Sequence, residues 1–87
     1  MQADKKQVTR LLKTARGQID GILKMVEEDR YCLEISHQIM ASQAVLKRAN
    51  KEIIASHMKH CLNGASSEEE LNEKVEEMIK VIDQLIR

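Results

Sequence analysis

Two cysteines and one histidine have the residue types and the spacing of a metal or redox site. They are Cys32, His57 and Cys61. His57 and Cys61 are four residues apart, so on a helix they share one face. Two thiolates and one imidazole suit a soft ion, which favours copper(I) with zinc as its competitor. Three protein ligands fit trigonal copper(I), or zinc completed by a water molecule.

The distance between Cys32 and His57 along the chain predicts a site shared by two subunits. They are 25 residues apart, which is roughly 37 Å along a continuous helix. Cys32 therefore cannot reach His57 of its own chain, but an antiparallel second chain would bring its Cys32 there. Such helices would cross near Leu46, where Ala44 and Ala49 permit close packing. A twofold axis would then make two identical sites, one at each end.

The two thiols leave other interpretations open. Cys32 is expected in the first turn of a helix, where the positive helix end and Arg30 favour the thiolate. Thiolates attack oxidants and persulfides, so Cys32 and Cys61 of two subunits could join in a disulfide or polysulfide bridge. Alternatively, both cysteines are inert core residues. His37 and His60 have no partner at metal spacing and are expected at the surface or an interface.

Three helices are predicted to position these side chains. Apolar residues recur at three- and four-residue steps over about 5–27, 30–62 and 67–86. Asp29 is the expected N-cap of the second helix. A capping-box pattern precedes the third helix and consists of Ser66, Ser67, Glu69 and Glu70. We therefore expect residues 1–87 to form a single all-α domain.

Several features predict that these helices pack against other subunits. A second helix of this length cannot be buried against its own short chain, and oligomerisation is a common remedy for a small core. Gly17 and Gly21, four apart on the first helix, suggest close approach by another backbone. The third helix keeps a/d spacing, which is typical of a helix with a helical partner. Its apolar positions are Leu71, Val75, Met78, Ile82 and Leu85.

The charge is balanced overall but unevenly distributed. The chain has 14 basic and 14 acidic residues, yet residues 1–24 carry a balance of +4 and residues 62–87 one of −4. The basic segment can attract a polyanion, or its charges merely solvate the helix surface. No segment has the apolar length of a membrane span, and the first residues lack the apolar core of a signal peptide. We expect a cytoplasmic protein without a structural disulfide.

The order and spacing of four motifs resemble the copper-sensing operon repressors of bacteria, the CsoR/RcnR family. The motifs are Gly17-Gln18, Met25–Cys32, Gln38-Ile39 and His57–Cys61. This resemblance covers nearly the whole chain. It implies three-helix subunits, dimers built as antiparallel four-helix bundles, and disc-like tetramers. It also implies a repressor that binds operator DNA when free and releases the DNA on sensing its effector.

The resemblance also implies roles for individual residues. The copper ligands of the family fall on Cys32, His57 and Cys61, with Cys32 supplied by the other subunit. The residues behind them fall on Tyr31 and Glu77, which can hydrogen-bond the imidazole nitrogen that is not on the metal.

Other branches of the family match less well. Nickel and cobalt members use a histidine close to the N-terminus, where this chain has Met1-Gln2-Ala3. Formaldehyde sensors have a proline after the initiator Met, which this chain lacks, and persulfide sensors typically lack the histidine at position 57. His57 and Glu77 therefore favour copper(I), while thiol chemistry remains the alternative.

The first helix departs from the family pattern. The usual arginines fall on Leu11 and Thr14, and the usual acid before Gly17 is Arg16. Basic residues at steps of three still form one ridge. The residues expected to meet DNA phosphates are Lys5, Lys6, Arg10, Lys13 and Arg16. Because no helix-turn-helix signature is present, we expect largely electrostatic, salt-dependent binding.

Three functions follow from these observations. The leading hypothesis is a copper(I)-responsive repressor that self-associates and binds operator DNA but no membrane. The second is a persulfide- or oxidant-sensing repressor on the same scaffold, and the third is a metal carrier that binds no DNA. An enzyme is disfavoured, because the chain has no Gly-rich phosphate loop and no acid/base pair outside the sensor cluster.

Overall fold

A computed structural model describes residues 1–86 and shows three helices in chain order. They are α1 (Lys5–Glu27), α2 (Cys32–Asn63) and α3 (Glu68–Ile86). Within residues 1–86 there is no β-strand. The expected three-helix, all-α subunit is confirmed. Over the same residues, no helix combines the length and the apolar character needed to cross a membrane.

The turn between α1 and α2 corrects one prediction. Asp29 is not the N-cap of α2, because that position belongs to Tyr31, which makes no capping hydrogen bond through its side chain. Asp29 instead follows the C-cap of α1 with a left-handed φ of 52°. Its N–H donates to the Val26 carbonyl at 3.1 Å, and the Arg30 N–H donates to the Met25 carbonyl at 3.0 Å. These two bonds form a Schellman motif, in which aspartate is tolerated at the left-handed position.

Side-chain caps fix the starts of the other two helices. The Asp4 carboxylate accepts from the Lys6 N–H at 2.9 Å at the start of α1. Before α3, the Ser67 hydroxyl accepts from the Glu70 N–H at 3.1 Å. The Glu70 carboxylate in turn accepts from the Ser66 hydroxyl at 2.8 Å and the Ser66 N–H at 3.2 Å. The Ser67–Glu70 part of the capping pattern is confirmed, and the two bonds from Ser66 lower the pKa of Glu70.

The three helices form a flat layer with a very small core. The α1 and α2 helices pack side by side along their length, and α3 packs on α2 alone among the described helices. The molecule measures 58 × 27 × 12 Å, and its smallest dimension is about one helix diameter. Its radius of gyration is 17.4 Å, against about 12 Å for a compact chain of 87 residues. The buried residues of the described chain are Ala3, Val8, Leu11, Ala15, Ser42 and Ala49.

Large apolar side chains remain exposed on all three helices. They include Leu12, Ile19, Leu23, Leu33, Ile39, Leu46, Leu71, Val75 and Ile82. The accessible area is 6951 Å², whereas a compact protein of this mass exposes roughly 5,200 Å². A Cβ added at Gly17 or Gly21 would meet nothing within 4 Å. The close approach expected at these glycines is therefore not made within one subunit.

Candidate metal centre

Two of the predicted ligands meet near the end of α2. The His57 Nε2 atom lies 3.3 Å from the Cys61 Sγ atom. The contact follows directly from helix geometry, because residues four apart lie one above the other on the same face. Cys61 is a free thiol and is half-buried, while His57 is exposed in the single subunit. An imidazole and a thiolate on one face of a helix can bind one soft metal ion between them.

A carboxylate from α3 lies near the same imidazole nitrogen that Cys61 contacts. The Glu77 Oε1 atom is 3.9 Å from His57 Nε2. It is brought there because α3 turns back after Gly64 and packs on the C-terminal part of α2. Both side chains are more than half exposed, so the contact is an orienting one rather than a strong ion pair. Such a carboxylate can fix the tautomer of a ligating histidine.

The other two predicted site residues lie at the opposite end of α2. Cys32 is the first residue of the helix and Tyr31 is its N-cap, and both are exposed. Since α2 is continuous, Cys32 and His57 of one chain are separated by roughly 37 Å along the axis. Within residues 1–86, no three His, Cys, Asp or Glu side chains are grouped closely enough to hold a metal. One subunit therefore brings together His57, Cys61 and Glu77, but not Cys32 or Tyr31.

The basic group expected to act on Cys32 has another partner. The Arg30 guanidinium donates to the Glu34 carboxylate at 2.9 Å, one helical turn away. Arg30 thus shares its charge with an acid instead of facing the Cys32 thiol alone.

A cavity of about 380 Å³ adjoins the His57–Cys61 pair between α2 and α3. It is lined by residues of the same helical spacing on both helices: 54, 57, 58 and 61 of α2, and 74, 77, 78 and 81 of α3. Three of the lining residues are methionines: Met1, Met58 and Met78. Their place beside the site was not predicted from the sequence, since a methionine at helical spacing is typical of ordinary core packing.

The predicted DNA-binding residues mostly share one face of α1. An open groove along this face is lined by Lys5, Lys6, Thr9, Arg10, Lys13 and Thr14. Arg16 is exposed but lies outside the groove. The Arg10 guanidinium donates to the Gln7 side chain at 3.0 Å, which holds it against the helix. The two threonines were not expected in the groove, and the Thr14 hydroxyl donates to the Arg10 carbonyl of the same helix at 3.0 Å.

The family model for metal-sensitive transcriptional repressors matches residues 4–84. The match includes α1, α2, most of α3 and every predicted site residue. The chain belongs to the CsoR/RcnR-type family of metal-sensitive transcriptional repressors. The resemblance drawn from the sequence motifs is thereby confirmed.

Curated CsoR relatives are similar to this chain over most of its length. The copper-sensing transcriptional repressor CsoR of Bacillus subtilis is 37% identical over 78 residues, which are 90% of this chain and 77% of the relative. CsoR of Mycobacterium tuberculosis is 36% identical over 80 residues, which are 92% of this chain and 67% of the relative. CsoR of Mycobacterium ulcerans is 37% identical over 71 residues, and this match spans only 61% of the relative's length.

Two solved structures of transcriptional regulators share the fold. The copper-sensing repressor CsoR with Cu(I) from Geobacillus thermodenitrificans has a TM-score of 0.79 and 34% identity, and the match covers 94% of this chain and 85% of that one. The nickel-responsive transcriptional regulator InrS also has a TM-score of 0.79, at 27% identity, with coverage of 98% and 96%. Proteins of this fold thus include a copper-sensing repressor and a nickel-responsive regulator.

Proposed function

We propose that this chain is a copper(I)-responsive repressor. It binds operator DNA in the free state and releases the DNA when Cu(I) binds His57, Cys61 and Cys32 of the partner subunit. The observation that carries the proposal is the 3.3 Å contact between His57 and Cys61, with Glu77 beside the imidazole. The copper-sensing relatives and the TM-score to a Cu(I)-bound CsoR support it.

The donor set fits copper(I) better than harder ions. Two thiolates and an imidazole are soft to intermediate ligands, and no carboxylate of the chain is needed to complete a trigonal site. Glu77 and Tyr31 of the partner subunit are proposed to hydrogen-bond the imidazole nitrogen that is not on the metal, which is Nε2 for Glu77 and leaves Nδ1 for the metal. That bond fixes the ring and strengthens the histidine as a ligand.

The proposed site requires an antiparallel dimer, and the shape of the subunit supports one. The chain exposes about 1,700 Å² more surface than a compact protein of its mass. A standard interface buries about 800 Å² per partner, so the excess is enough for more than one interface. We propose that α1 and α2 of two subunits form a four-helix bundle and that two such dimers form the disc-like tetramer of the family.

DNA binding is proposed to reside on the basic face of α1. The contacting residues are Lys5, Lys6, Arg10, Lys13 and Arg16. The groove on this face supports the assignment of the first four, and Arg16 extends the ridge beyond it. The flexible lysines and arginines contact phosphates rather than bases, so the affinity depends strongly on salt.

Copper binding is proposed to act on DNA through α3 and the dimer. The metal would tie the end of α2 in one subunit to the start of α2 in the other, and Glu77 would carry the change into α3. Since α3 packs on α2 alone among the described helices, its position follows that end of α2. Linkage requires DNA to weaken copper binding by the same factor as copper weakens DNA binding.

The test combines a metal titration with a DNA readout. Wild-type protein on its own upstream DNA receives Cu(I) from a competing chelator, and DNA release is followed by fluorescence anisotropy. We expect His57→Ala to lose copper affinity and release, whereas His60→Ala keeps both. His60 is a matched control, because it is exposed on the same turn but does not line the cavity. Full affinity and release in His57→Ala would refute the site. A parallel Ni²⁺ titration tests the response found in InrS.

The exposure of Cys32 at the start of α2 favours one second candidate. In a persulfide- or oxidant-sensing repressor, Cys32 would join Cys61 of the partner subunit through a bridge of two or more sulfur atoms. Intact mass spectrometry after treatment with a persulfide donor separates the two functions. A covalent dimer together with weak copper affinity would favour this candidate over copper sensing.

A further inference from the structure

We propose that the thioethers of Met58 and Met78 supply a further soft donor to copper(I) at this site and make the site prefer Cu(I) over Zn²⁺. The inference rests on the proposed copper function and deepens it. It starts from the cavity beside His57 and Cys61, whose lining includes both methionines.

Helix geometry places one thioether on each wall of the cavity. Met58 is three residues before Cys61 on α2, so the two side chains share a face. Met78 directly follows Glu77 on α3, and both line the cavity. Met58 and Met78 are half-buried, unlike Met40 of α2, which is 59% exposed and lies outside the cavity. Both side chains are thus partly shielded from solvent where they line the cavity.

The chemistry of the thioether gives the two sulfurs a selective effect. A neutral thioether is a soft ligand that binds Cu(I), whereas zinc sites in proteins use cysteine, histidine and carboxylate. A sulfur near a three-coordinate Cu(I) therefore adds affinity that Zn²⁺ does not gain. The apolar walls next to it, Ile53, Ile54 and Val81, keep water from taking the same position.

Metal affinities of matched variants test the inference. Cu(I) and Zn²⁺ affinities are measured with competing chelators for wild type, the double variant Met58→Leu/Met78→Leu and the control Met40→Leu. Leucine nearly preserves the volume of methionine. We expect the double variant to lose Cu(I) affinity about tenfold, the lower end of the loss caused by removing one supporting interaction from a metal site. Zn²⁺ affinity should stay unchanged, and Met40→Leu should match wild type for both metals.

The outcomes separate this inference from the proposed function. Wild-type protein that does not bind Cu(I) tightly would refute the copper function itself. Tight wild-type binding with no loss in the double variant, or with equal losses for Cu(I) and Zn²⁺, would overturn only the thioether inference. A second measurement avoids the variants altogether: selenomethionine-labelled protein loaded with Cu(I) should show copper at bonding distance from selenium in X-ray absorption. A selenium spectrum without a copper neighbour would also overturn the inference.

Discussion

Dilution should unfold this protein, because the subunit has too little core to be stable alone. Among the described residues only one large side chain, that of Leu11, is fully buried, and the radius of gyration is far above that of a compact chain. Folding is therefore expected to be coupled to assembly, which makes the melting temperature depend on concentration. A monomer that folds alone would show no such dependence.

The size of the effect depends on the number of subunits. Unfolding entropy is about 2.1 cal/mol/K per residue, or about 0.18 kcal/mol/K for a chain of 87 residues. A tenfold change in concentration changes the free energy of unfolding the assembly by about 1.5 kcal/mol for a dimer and by about three times as much for a tetramer. Dividing by the entropy of two or four chains gives a shift of about 4 °C per tenfold dilution for a dimer and about 6 °C for a tetramer.

The assay monitors thermal unfolding by circular dichroism over a hundredfold range of protein concentration that starts at low micromolar. The assembled mass is measured by sedimentation. A matched pair of variants locates the interface. Leu46 is 42% exposed on α2 and lies where two antiparallel α2 helices are expected to cross. Leu46→Glu should lower the melting temperature and the assembled mass, whereas Leu46→Met should leave both near wild type. A melting temperature independent of concentration, with a monomeric mass, would refute the reasoning.

The caps, the glycines and the basic face each give a further prediction. Ser67→Ala should destabilise α3 by about 1 kcal/mol. Because the folded pKa of Glu70 is lowered, its stabilising contribution is present above pH 4.5 and is lost as the pH falls through the folded pKa. Glu70→Gln should remove that part of the acid transition, as measured by helix content against pH. Gly17→Ala/Gly21→Ala should weaken assembly in sedimentation, because the expected neighbour of these glycines is a second subunit; a gain in melting temperature without a loss of mass would contradict this. Arg10→Ala should reduce the slope of log DNA affinity against log salt by about 1 for each phosphate that the variant no longer neutralises, and an unchanged slope would exclude Arg10 from the interface.

The helices could be predicted because their signals are local. Apolar spacing and the Ser67–Glu70 cap depend on residues within one or two turns, and the structure contains both. Asp29 shows the limit of such signals. Aspartate is favoured at an N-cap and tolerated in the left-handed position after a helix. Sequence alone did not reveal that the Arg30 and Asp29 N–H groups would bond back to α1.

For a similar reason, the sequence predicted some contacts of the candidate site and missed others. The His57–Cys61 contact follows from a four-residue spacing, and the place of Glu77 came from the family resemblance. The methionines were missed because their role depends on how α3 folds back on α2, which no local pattern encodes. The groove on α1 likewise includes Thr9 and Thr14 and excludes Arg16, although a spacing of three grouped Arg16 with Arg10 and Lys13.

In the proposed assembly, the length of α2 couples metal binding to the relative arrangement of two subunits. Its two ends carry different parts of one ligand set, and a continuous helix of 32 residues keeps them roughly 37 Å apart. No motion within one subunit can close that distance, so a bound ion constrains the relative position of two α2 helices. The α1 helix, which carries the basic face, packs along the same α2, so a change in that position also moves the two basic faces relative to each other. DNA that needs both faces in one register then binds one arrangement better than the other, which is the differential affinity that allosteric release requires.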